Sequence, residues 1–166
     1  TEIYEYFKLL YARVGKTTSP VSGKLVKREN LNDVLKFAHA IPLSAKVYIA
    51  APIVIVSGRT LTEQLEILQK QGYSRLICKK EILDIDTLLQ TKKTTLTSLY
   101  ILIDRFKASN IMTEQARFAD SVQIAFNEGK GSCMLQVEDN EDIKQKIFND
   151  SMEMDGIKFE EPSINL

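Results

Sequence analysis

Residues Leu99–Arg105 read Leu-Tyr-Ile-Leu-Ile-Asp-Arg, five apolar strand-forming residues followed at once by two opposite charges. The apolar part has none of the alternation that would let one face meet water. Such a run has to be covered on both sides, so it reads as a central strand of a packed sheet. Its end then delivers Asp104 and Arg105 to a surface. Nothing in the string performs chemistry. It builds a sheet whose rim offers charges to a partner.

The rest of the chain is long enough to supply that sheet. Its 166 residues fit one domain with an appended element. An apolar content of 44% and a charged content of 27% give a core without metal or disulfide. The 22 basic and 22 acidic residues cancel, which argues against a dedicated nucleic-acid binder and leaves room for a mixed-sign interface. Cys78 and Cys133 are far apart and sit in apolar runs, so they read as buried free thiols of a reducing compartment. No stretch approaches the roughly 18 apolar residues of a membrane span. No secretory leader is present, so a cytoplasmic location is expected. The sequence opens at Thr1 directly on an amphipathic pattern and stops at Ile-Asn-Leu, which reads as a piece of something longer.

Taken in order, residues 2–14 place Ile3, Phe7, Leu10 and Val14 on one helical stripe, widened by Tyr4 and Tyr11. That stripe suits a core helix or a helix that packs on a missing partner domain. Residues 16–29 form a turn-rich connector. Gly15-Lys16-Thr17 lacks the upstream glycine and preceding strand of a phosphate loop. A short helix is expected over 31–40, capped by Asn30 or Asn32, with the lone His39 at its end. Residues 45–56 read as a strand that bends, or lies at an edge, at Pro52. Thr60 to Glu63 is a capping box opening a helix to about Lys70. Strands follow at 74–78 and 81–85, then a brief helical turn through Leu89 capped by Asp86. The 99–107 strand precedes a helix over 111–127 with Met112, Ala116, Ala119, Val122 and Phe126 inward. A strand at 132–138 ends in the acidic turn Glu138–Asp142, which lacks the spacing of a calcium loop. Residues 143–149 are a strand or short helix. Asp155-Gly156 is a turn, and the last residues are extended.

This order gives an α/β class, with α+β the alternative: a mixed sheet of about four to five strands with helices packed on it. No Ser/His/acid set, Cys/His pair or metal spacing is formed, and the Asp84/Asp86 pair lies in a polar connector. The chain therefore reads as an interaction module with no cofactor and no catalytic residue.

Several strings then fit one family in order and spacing. They are Thr1–Gly15 (TEIYEYFKLLYARVG), Ala51–Val54, Lys70–Arg75 (KQGYSR), Ile103–Phe106 (IDRF), Asp120–Gly129 (DSVQIAFNEG) and Asp155–Pro162. Together they resemble the UvrA family of the bacterial excinuclease system over nearly the whole chain. The resemblance implies an insertion in the first ATP-binding half that docks UvrB, with the nucleotide-binding motifs outside the chain. It divides the chain into 1–29, leading in from that half, 30–150, the UvrB-binding insertion, and 151–166, returning to the parent. It implies a dimeric parent, DNA contact only through the parent, and no membrane partner. Two departures stand out. Ser19-Pro20-Val21-Ser22 occupies the place where many members begin a zinc site, so no metal ligands carry over there. The loop after Pro52, often rich in Arg, Lys and Gly, here reads Ile55-Val-Ser-Gly-Arg59.

The family's docking surface pairs arginines with acidic residues of UvrB. The resemblance places Arg75 and Arg105 in that role, with Glu81 as a reciprocal contact. Arginine fits it chemically, because its planar, always-charged fork binds carboxylates bidentately. The alternative is a nucleic-acid-binding domain using a stripe of Lys79, Lys80, Lys92, Lys93 and Lys107.

Overall fold

The computed structural model describes residues 2–23, 25–91, 98–154 and 157–159. Its elements in order are α1 (Glu2–Val14), α2 (Leu31–His39), β1 (Lys46–Pro52), α3 (Leu61–Lys70), β2 (Arg75–Cys78), β3 (Glu81–Asp84), α4 (Ile85–Thr91), β4 (Leu99–Lys107), α5 (Gln115–Glu128), β5 (Ser132–Asp139), β6 (Asp142–Asn149), β7 (Glu153–Met154) and β8 (Ile157–Lys158). One six-stranded sheet runs β3-β2-β4-β1-β5-β6, and β7 and β8 pair separately. Every pairing is antiparallel. The class is therefore α+β, with one strand more than the count expected from sequence. Lys92, Lys93 and the Asp155-Gly156 turn lie outside the described residues.

Cross-strand partners share a face, so the register sorts the side chains. Val47, Ile49 and Ala51 of β1, Phe106 of β4, and Cys133, Leu135 and Val137 of β5 point to the helices α2 and α5. Leu76 and Ile101 continue that face under α3 and α4. The opposite face carries Tyr48, Ala50, Ile77 and Met134, also buried, and among the described residues no helix side chain joins their cluster. Tyr100 and Leu102 pack against them. The pairing of β1 with β4 slips between Ile49 and Ala50, leaving Ile103 as an extra residue, and such a bulge bends a sheet. The β2–β3 turn also reaches over to β5. There the Lys80 carbonyl accepts a hydrogen bond from Gln136 Nε2 on β5 at 3.1 Å, although β4 and β1 stand between β2 and β5 in the sheet. Gln136 is fully buried, and its own carbonyl accepts from Gln145 at 2.7 Å.

The helix starts follow the sequence. Asn30 Oδ1 accepts from the amides of Asn32 and Asp33, and the Asp33 carboxylate accepts in return from the Asn30 amide, giving α2 a closed capping box. Thr60 and Glu63 do the same for α3. Two open alternatives are decided and two expectations are corrected. Pro52 is not on an edge strand: β1 lies between β4 and β5, and Pro52 ends it because it has no amide to donate. Asp86 sits in the first turn of α4, which runs on to Thr91, beyond Leu89. Residues 142–149 are a strand with no helix. The last helix starts at Gln115, so Met112 lies in the preceding turn and is 62% exposed. Its buried face is Phe118, Val122, Ala125 and Phe126, turned from the expected stripe because the Phe118 ring packs edge-on against Phe106 at 5.3 Å.

The first helix adds nothing to this core. No residue of α1 is buried, and Ile3, Tyr6 and Tyr11 are each about two-thirds exposed or more. The Cys78 and Cys133 thiols are both buried and unbonded to one another, and burial pushes the Cys133 thiol up to about 12. Among the described residues no helix is long and apolar enough to cross a membrane.

Candidate interaction surface around Arg105

β2 pairs with β4 only from Leu76–Cys78 to Ile101–Leu99, yet β4 continues to Lys107. Among the described residues its outer edge is therefore open from Leu102 onward. The chain leading from α3 into β2 diverges there and leaves a hollow of about 400 Å³ lined by Gln71–Arg75 and Leu102–Arg105. Arg75 and Arg105, distant in sequence, border the same hollow. Tyr73 also lines it. Burial first, and then Glu128 beside it, holds its phenol above the ordinary tyrosine range. Arg75 lies 3.6 Å from Asp84 across the β2–β3 ladder, both well exposed. Arg105 is exposed and makes no ion pair among the described residues.

Glu81 is not brought to this hollow. It pairs with Cys78 at the turn end of the β2–β3 hairpin, whereas Arg75 pairs with Asp84 at the other end. It borders a separate depression with Cys78, Lys79 and Leu83. Of the described lysines of the alternative stripe, Lys79 lines the Glu81 depression, while Lys107 lines a different hollow with Arg105.

Asp104 and Arg105 do not pair with each other through their side chains, because successive strand residues point to opposite faces. Asp104 faces α5. Its carboxylate accepts two bonds from Arg117, at 2.7 and 3.1 Å, and one from Ser121 Oγ at 2.9 Å. Arg117 also reaches Glu114 at 2.7 Å and lies over the Phe106 ring at 4.7 Å. These bonds to Asp104 and then Glu114 raise the Arg117 guanidinium above its ordinary value. Asp104 Oδ1 further accepts from the backbone amide of Arg105 at 2.8 Å. One carboxylate on the helix side thus ties β4 to α5 and occupies the edge donor of the residue whose side chain faces outward.

Beyond Arg105 a second hollow of about 460 Å³ is lined by Lys46, Tyr48, Arg105, Phe106, Lys107, Asn110, Glu114 and Arg117. Tyr48 OH donates to Glu138 at 3.0 Å, and Lys46 stands 3.6 Å from the same carboxylate. Burial and then the Glu138 bond push the Tyr48 phenol up from its ordinary value. Sequence reasoning passed over Lys46, Tyr48 and Arg117. The alternation Lys46-Val-Tyr48 and the three-residue spacing of Glu114 and Arg117 are the signals that could have found them. Residues 19–22 hold a turn: Ser19, buried, accepts from the amides of Val21 and Ser22. No group of three potential metal ligands occurs among the described residues.

Comparison with known proteins points to one family. Residues 30–139 match the family described as the UvrA interaction domain. The chain is 31% identical over 137 residues to UvrABC system protein A of Rickettsia felis, covering 82% of this chain and 14% of that protein. It is 32% identical over 145 residues to the Bacillus subtilis protein of the same name, covering 86% and 15%, and 29% identical over 141 residues to that of Malacoplasma penetrans, covering 85% and 15%. The chain thus spans about one seventh of the length of the curated relatives it matches. The matched stretch opens at the Asn30 cap of α2 and closes with β5, so it contains the whole Arg75–Arg105 hollow. This chain belongs to the UvrA interaction domain family.

Proposed function

We propose that this chain is the UvrB-docking domain of UvrA in bacterial nucleotide excision repair, working in the cytoplasm. The observation that carries the reading is the shared hollow of Arg75 and Arg105, the second of which has no ion pair among the described residues. A guanidinium already outside any ion pair can meet a partner carboxylate without first breaking a bond. In this reading residues 30–150 dock UvrB, residues 1–29 and 151–166 connect to the longer protein, and that protein works as a dimer. The domain itself performs no catalytic step. ATP hydrolysis and DNA contact belong to the parent.

A titration of UvrB with the chain, run beside a titration with a fluorescent duplex, tests this. Binding to UvrB that weakens as salt rises, with no comparable duplex binding, supports it. Failure to bind UvrB overturns it. Micromolar duplex binding with a steep salt dependence would favour the nucleic-acid alternative.

A further inference from the structure

The two hollows meet at Arg105, and only the first contains the pair of arginines already discussed. The second gathers four cations, Lys46, Arg105, Lys107 and Arg117, against one lining carboxylate, Glu114, in a chain of zero net charge. Two of these cations are engaged: Arg117 by Asp104 and Glu114, and Lys46 by Glu138. Lys107, like Arg105, makes no ion pair among the described residues. Lys107 lies opposite Lys46 in the β1–β4 ladder, and Arg105 lies opposite Tyr48. The four residues therefore form a two-by-two patch on one face of the sheet. Glu138 balances Lys46 from β5 on the same face, so Lys107 and Arg105 are the cations of this patch left for an incoming anion.

We propose that the second hollow is an extension of the docking surface, in which Lys107 and Lys46 receive an acidic, carboxylate-bearing segment of the docking partner adjoining the one met by Arg75 and Arg105. The proposal rests on the docking reading above and names residues that reading does not use. Two features define the occupant. First, the Arg105 amide is held by Asp104, so the open β4 edge does not present that donor for strand addition. The partner is read by side chains. Second, Glu114 and Glu138 border the cations at intervals. Separate carboxylates can interleave with that pattern, whereas a nucleic-acid backbone, with its continuous phosphates, would run into both acids.

The test uses the intact chain and UvrB, with four variants: Lys107→Gln, Lys107→Glu, Arg105→Glu and, as a control on the exposed far edge of the sheet, Lys144→Gln. Lys107→Gln is expected to weaken binding about three- to fivefold and to flatten its salt dependence. Lys107→Glu is expected to weaken it more than about tenfold. The control should bind as wild type, and all four should keep the wild-type urea midpoint, since these side chains are exposed. Unchanged affinity of both Lys107 variants beside a large loss in Arg105→Glu overturns the extension and leaves the docking reading intact. Loss of binding in none of the variants, or no binding by wild type, overturns both. Competition of a short duplex with UvrB for the chain, abolished by Lys107→Glu, would assign the hollow to nucleic acid and overturn the extension.

Discussion

Arg75 and Arg105 border one hollow because β2 leaves β4 after Ile101, and the strand that carries Arg105 continues past the point of separation. The two arginines are not equivalent. Arg75 has Asp84 at 3.6 Å as a neighbour, and Arg105 has no such partner among the described residues. Charge reversal at Arg75 is therefore expected to weaken UvrB binding less than reversal at Arg105, because part of Arg75's charge is already balanced. Residues that share a partner surface couple, so the double variant should lose less than the product of the two single losses. A double-mutant cycle by calorimetric titration measures this. Independent, fully multiplicative losses would place the two arginines on separate contacts.

Asp104 holds the Arg105 amide from the helix side of the sheet, opposite to the Arg105 side chain. Removing its carboxylate takes the acceptor from Ser121 Oγ and the Arg105 amide and leaves Arg117 with Glu114 alone. Asp104→Ala is expected to lower stability by about 1–3 kcal/mol, the usual cost of leaving such groups unsatisfied. It should also weaken docking, because the strand end that aims Arg105 loses its tie to α5. Urea unfolding and UvrB titration of the same variant separate the two effects. Wild-type stability would show that Arg117 and Ser121 find other partners.

The exposed stripe of α1 suggests where the folding unit begins. None of its residues is buried, and the matched family stretch starts at residue 30. A chain lacking residues 1–15 is expected to unfold at the same urea concentration as the full chain and to bind UvrB equally well. A lowered midpoint would show that α1 contributes to the core after all.

The capping boxes give a pH dependence with a definite sign. The Asn30 backbone amide, above other influences, holds the Asp33 carboxyl below the usual carboxylate range, and the Thr60 backbone amide does the same for Glu63. A depressed value in the folded state means stabilisation that is present above the unfolded value of about 4 and lost as pH falls through the lower folded value. Both groups lie at the surface, so the effect is local. Asp33→Asn should flatten the acid side of the stability curve, read as the urea midpoint between neutral pH and about pH 3. An unchanged curve would mean that the capping carboxylate does not stabilise α2.

Much of this architecture is legible in the residues, for local reasons. Asn30 and the Thr60–Glu63 box mark helix starts through bonds to neighbours within three positions. The Leu99–Ile103 run marks a strand internal to the sheet, with Leu99 and Ile101 buried and Tyr100 and Leu102 half-buried. What the chain does not announce is long-range. The slip at Ile49/Ala50 and the bond of buried Gln136 to the Lys80 carbonyl have no local signal. The face of α5 turned because Phe118 meets Phe106 from another element. The same limit applied to the surface. Arg105 stood out beside the apolar run, but its neighbours Lys46 and Lys107 are assembled only by the β1–β4 register. Asp104, adjacent in sequence, turned out to serve α5.

Docking of UvrB through Arg105 is the proposal on which the others depend. Titration of UvrB with wild-type chain and with Arg105→Glu, at two salt concentrations and with matched urea midpoints, tests it most directly. Wild-type binding should weaken with salt, and the variant should bind more than about tenfold more weakly with a flatter salt dependence. Equal affinity of the two folded proteins would contradict it.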